Sequence, residues 1–143
     1  MASPRSMRVT VGSASAEFTM LDEFAPKTAD ALWESLPITG KVTHARWAGS
    51  AVFTKTPNQP VAAVSDVELP VTSIYPGTLV VRPGRGVAEL FFSYGVSESR
   101  GATGRSYATP VAEATGDTEE FFSTLAGTWS GGSAEVTMER ADG

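Results

Sequence analysis

The segment from Glu17 to Lys55, EFTMLDEFAPKTADALWESLPITGKVTHARWAGSAVFTK, most constrains the fold, because it spells strand, proline-started helix, strand, turn and strand in one run. Ala16, Phe18 and Met20 alternate with Glu17 and Thr19, the two-residue period of a half-buried strand. Pro26 suits the first turn of a helix, where its missing N–H leaves no bond unmade. Ala29, Leu32, Trp33 and Leu36 follow at the spacing of one helical face, and Pro37 and Gly40 stop the helix. KVTHARW then reads as a strand, with Val42, His44 and Arg46 on one face and Thr43, Ala45 and Trp47 on the other. A Gly49-Ser50 turn leads into AVFT at 51–54, and TPNQP breaks the regular run.

The flanks supply more strands. MRVTVGS alternates Met7, Val9 and Val11 against Arg8 and Thr10, and Gly12-Ser13 turns the chain back into a hairpin, leaving residues 1–6 as a flexible leader before a single domain at 7–143. TLVVR (78–82) and AELFFSYG (88–95) are β-branched and aromatic, with PGRG as the hairpin loop between them. Residues 61–76 read as strand edge and loop, and residues 97–109, almost without apolar side chains, as a long exposed loop. Asp117 with Glu120 makes a capping box for a second helix over Phe121, Phe122 and Leu125, ended by Gly127; SAEVTMER is the last strand. The sum is a mainly β fold of about seven or eight mostly antiparallel strands, closed into a barrel with a helix over each open end.

Composition narrows the function classes. A chain of 143 residues buries about two-thirds of its unfolded surface without staples. The absence of cysteine removes thiol catalysis and thiolate metal sites, and one histidine makes a transition-metal site improbable, so neither metal nor cofactor is expected. A net charge of -5 opposes nucleic-acid binding, which rests on clustered Lys and Arg. No apolar run marks a signal or a membrane span, so a cytoplasmic location is expected.

Three stretches carry a family resemblance. APKTADALWESL is similar to the VPKTAENFRAL helix of cyclophilins, HARWAGSAVFTKTP resembles their HYKGSVFHRVIP strand pair, and AELFFSYG resembles their SQFFI strand. The closing GDTEEFFSTLAGTWSGGSAEVTM follows their final helix and VTI-type strand, so the resemblance spans nearly the whole chain, and it is closest to the minimal bacterial cyclophilin-like proteins without an assigned activity. It implies a cyclophilin-like barrel. In cyclophilins the FHR arginine serves prolyl isomerisation over a pocket holding a phenylalanine of the FF pair. Here FHR reads Phe53-Thr54-Lys55, and a lysine lacks the guanidinium fork. The MCQGGDF motif is missing too.

The candidate site residues follow from chemistry and face. His44, Tyr94 and Glu89 are the acid–base candidates; Arg46, Trp47, Phe53, Lys55 and Phe92 are the ligand-binding ones, with Arg46 as anchor for an anion. Phe92 and Tyr94 share a strand face, Phe92 matches the cyclophilin pocket phenylalanine, and Glu89 is a partner candidate for Arg46 or a base. Arg82, Arg85, Arg100 and Arg105 lie in or beside loops and offer an anion-binding rim, although scattered arginines are usually solvated. The functional expectation is a barrel that binds a small anionic molecule such as a carboxylate, with non-covalent acid–base catalysis open. One alternative is a prolyl isomerase using Lys55; the other is a protein-interaction module, including a homodimer.

Overall fold

The computed structural model describes residues 4–101 and 103–141. In chain order it contains β1 (Ser6–Val11), β2 (Ala14–Met20), α1 (Pro26–Ser35), β3 (Ile38–His44), β4 (Gly49–Thr56), a 3-10 turn at Val61–Ala63, β5 (Ser73–Ile74), β6 (Thr78–Pro83), β7 (Ala88–Glu98), β8 (Arg100–Gly101), β9 (Gly104–Arg105), β10 (Thr109–Thr115), α2 (Glu119–Gly131) and β11 (Ala134–Arg140). Eight strands hydrogen-bond in the order β4-β3-β11-β1-β2-β10-β6-β7, and β7 pairs back onto β4, which closes an antiparallel barrel. Closure removes the unpaired edges that an open sheet of this composition would expose.

Each helix leaves from one mouth. α1 follows the end of β2 and α2 follows the end of β10; these strands are antiparallel neighbours, so their ends lie at opposite openings. Leu32 and Ala29 of α1 and Phe121 and Leu125 of α2 join Phe18, Leu79, Leu90, Phe92 and Met138 in the barrel core. A second apolar cluster sits outside the wall, where Phe91, Val80, Ala45, Ala48, Ile74 and Ala108 are covered by the connecting segments. No helix among the described residues is long and apolar enough to cross a membrane.

Several expectations need correction. β3 ends at His44, and Arg46–Ala48 form the turn, so Arg46 does not share a strand face with His44; Gly49 and Ser50 already belong to β4. The capping box is not made: the N-cap of α2 is Thr118 without a side-chain bond, and Asp117 Oδ1 instead accepts from the Glu119 amide at 3.1 Å. α2 runs through Gly127 to Gly131 and stops where Gly132 takes φ +86°. Residues 97–109 are not one exposed loop, because β7 continues to Glu98, β8 and β9 form a small hairpin, and Ser97, Ser99 and Thr109 are buried. Near the start, Arg5 bonds Asp22 at 2.6 Å and Asp30 at 3.2 Å.

Candidate functional site

Strand parity sorts the candidate residues onto two sides of one wall. Along β4 and β7, Val52, Leu90, Phe92 and the inner part of Tyr94 join the barrel core, so Phe53, Lys55, Glu89 and Phe91 face outward. Lys55 and Glu89 are cross-strand partners, Glu89 is in turn the partner of Arg82 on β6, and Phe53 pairs with Phe91. A basic, an acidic and a basic residue thus lie in a row across three strands, above an aromatic pair.

That row floors an open groove of about 590 Å³ lined by Trp47, Phe53, Lys55, Arg82, Glu89 and Gly101. Phe53 stacks on the fully buried Phe91 with centroids 5.7 Å apart, and Trp47 meets Phe53 edge-on at 5.2 Å. The Trp47 indole is oriented by a 2.9 Å bond from Nε1 to the Arg100 carbonyl. Arg82 is enclosed: Nη2 donates to Glu89 Oε2 at 2.7 Å, Nη1 donates to Ser106 Oγ at 3.1 Å, and the guanidinium lies 5.0 Å from the Phe91 ring centre. Lys55 is exposed and makes no ion pair among the described residues.

His44, Tyr94 and Arg46 lie elsewhere, at the mouth capped by α2. His44 Nε2 and the Tyr94 hydroxyl are 2.6 Å apart, and the imidazole packs edge-on against Trp129 at 4.8 Å. Only 5 % of His44 is exposed, and Nδ1 has no partner among the described residues. Burial pushes the His44 pKa below its ordinary value, and the Arg46 charge pushes it the same way. Arg46 lies 4.6 Å over the Trp129 ring and donates to the Trp129 carbonyl in the last turn of α2, so its partner is a helix end rather than Glu89. Phe92 is 1 % exposed and packs edge-on with Phe18 at 5.8 Å, inside the core and away from the groove.

The structure therefore brings together Trp47, Phe53, Lys55 and Glu89, and separately His44, Tyr94 and Arg46. The arginine of the groove is Arg82, which the sequence offered only as one of four loop arginines, a rim or solvated cations, and not as a strand residue beside Glu89. A signal existed: folding β6 and β7 back across PGRG puts Arg82 opposite Glu89. Trp129 was missed because Gly127 read as the helix end.

Residues 7–140 match the family described as a protein of unknown function, DUF3830. The chain belongs to the DUF3830 family. No curated protein matches it in sequence. Solved structures resemble this DUF3830 barrel in fold, among them the following two. The hypothetical protein AF2241 from Archaeoglobus fulgidus superposes with a TM-score of 0.63 at 22% identity, covering 96% of this chain and 95% of its own. McbB, solved in complex with tryptophan, has a TM-score of 0.70 at 16% identity, covering 96% of this chain but 45% of McbB. At these identities the likeness is one of architecture, and the groove of this DUF3830 chain has to be read from its own residues.

Proposed function

We propose that this barrel, cyclophilin-like in its plan, is a cytoplasmic binding protein for a small aromatic carboxylate, held in the outer groove. One observation carries the reading: Lys55 presents an ammonium without an ion pair among the described residues, beside the aromatic wall of Trp47 and Phe53. Arg82 is engaged by Glu89 and Ser106, so Lys55 is the anchor and replaces Arg46 in that role. The wall supplies area and orientation, and the charge supplies discrimination for an anion. Binding without catalysis is the reading supported, because Glu89 stands apart from the His44–Tyr94 pair and the three do not form one acid–base group.

Thermal shift and calorimetry with benzoate, 3-phenylpropanoate and indole-3-acetate test it. Lys55→Ala is expected to weaken any hit by about tenfold or more, the worth of one charge-assisted hydrogen bond, while Arg46→Ala leaves it within about twofold. Equal loss in both variants would sink the groove assignment.

The isomerase reading retains one favourable observation, since Lys55 shares its face with Phe53 and with Phe91 of the FF pair. Against it, Phe92 lies inside the barrel. A protease-coupled prolyl isomerisation assay that shows a rate lost on Lys55→Ala would favour isomerase over binding protein.

A further inference from the structure

We propose that the ligand is a free aromatic α-amino acid, its carboxylate on Lys55 Nζ and its ammonium on Glu89 Oε1; this rests on the groove reading above and names its substrate class. The argument is a count of what each charged group leaves free. The Arg82 charge is already paired: Nη2 is bonded to Glu89 Oε2, Nη1 to Ser106 Oγ, and its faces lie against the Phe91 ring at 5.0 Å and against Gly101, where an added Cβ would come 3.4 Å from Nη1. The guanidinium instead fixes the Glu89 carboxylate, using one oxygen and leaving Oε1 without a partner among the described residues. The groove therefore offers one free carboxylate oxygen beside one ammonium that has no ion pair among the described residues.

The spacing suits a zwitterion. Lys55 and Glu89 are directly opposed on β4 and β7, and such cross-strand Cβ atoms lie about 4.5–5.5 Å apart, so both groups reach substituents of a single α carbon. Glu89 is held toward Arg82 rather than Lys55, and the two show no ion pair of their own. A simple carboxylate can bind Lys55 but leaves Glu89 Oε1 unused, and a simple amine meets the Lys55 ammonium as a like charge; a zwitterion engages both groups. The ring then lies against the Trp47–Phe53 edge pair, which the Arg100 carbonyl holds in place.

The test is calorimetric titration of three matched probes, L-phenylalanine, 3-phenylpropanoate and phenethylamine, on the wild type and two variants. L-Phenylalanine is expected to bind at least tenfold more tightly than either analogue. In Glu89→Gln the glutamine carbonyl still accepts from Arg82 and its NH₂ replaces Oε1, so L-phenylalanine weakens about tenfold while 3-phenylpropanoate tightens; Lys55→Ala weakens both. If 3-phenylpropanoate binds as well as L-phenylalanine, the amino-acid inference is overturned and the carboxylate reading stands. If no probe binds to a wild type whose melting shows it folded, both are overturned. Equal losses for both ligands in Glu89→Gln would overturn the inference by showing that Glu89 only braces the groove.

Discussion

The outer groove and the α2 mouth are built from the same kinds of residue, and they differ in what each has left over. Each combines an arginine, aromatic rings and a titratable side chain: Arg82, Phe53, Trp47 and Glu89 in one, Arg46, Tyr94, Trp129 and His44 in the other. At the mouth the imidazole is bonded to a phenol and enclosed by Trp129, and the arginine is bonded to a helix carbonyl. In the groove, one ammonium, one carboxylate oxygen and two aromatic surfaces stay open. Residue type marks candidates, and what separates the two places is access: the unpartnered His44 Nδ1 is enclosed, whereas the free groups of the groove face an open surface, as the proposed binding reading requires.

The strongest way to break that comparison is to remove the groove floor. Phe91 is fully buried, stacked under Phe53 and beneath Arg82, within the cluster outside the barrel wall. Phe91→Ala is expected to destabilise by about 3–5 kcal/mol, the range for a buried phenylalanine. Chemical denaturation measures this, and ligand affinity measured on the folded fraction should fall with it. A loss under about 1 kcal/mol would mean that the groove is a soft surface feature rather than a packed platform.

A smaller effect tests the mouth. Tyr94→Phe leaves His44 Nε2 without its partner in a buried site and should cost about 1–3 kcal/mol, with ligand affinity at the groove unchanged. The imidazole also sets a pH dependence. Its folded pKa lies below 6.5, so at acid pH the unfolded chain binds a proton that the folded chain refuses. Stability from this group is thus complete above pH 6.5 and declines as pH falls through 6.5 toward the lowered folded value. Urea midpoints compared between pH 7.5 and 5.5 should drop more in the wild type than in His44→Phe; parallel curves would remove His44 as the source.

Much of the fold was legible because period-two runs such as Met7-Val9-Val11 and the Pro26 helix leave few arrangements open. The site was legible only in part. Phe91 and Phe92 are adjacent and both buried, so hydrophobicity does not say which faces the barrel; only the second cluster outside the wall makes the outward one core as well. Gly127 reads as a helix end, yet packing of Leu125 and Thr128 carries the helix on and the +86° φ of Gly132 ends it, which is what brings Trp129 to His44. Arg46 falls out of the strand because the chain turns immediately after His44, a tertiary decision that the alternating pattern of KVTHARW does not encode.

The smallest expected effect sharpens the reading of the mouth. Arg46 comes from the β3–β4 turn to cap the last turn of α2, a position where a cation meets unsatisfied carbonyls and the negative end of the helix dipole. Because the side chain is exposed, Arg46→Ala should cost only about 0.5–1 kcal/mol, mostly through the lost carbonyl bond and the Trp129 face. It should also relieve part of the downward pressure on the His44 pKa, since the guanidinium charge is the second cause after burial. The decline of stability below pH 6.5 should therefore be shallower in Arg46→Ala than in the wild type, and added salt should narrow the difference by screening the charge. An NMR titration of His44 in both proteins measures this directly, and an unchanged titration curve would leave burial as the whole cause.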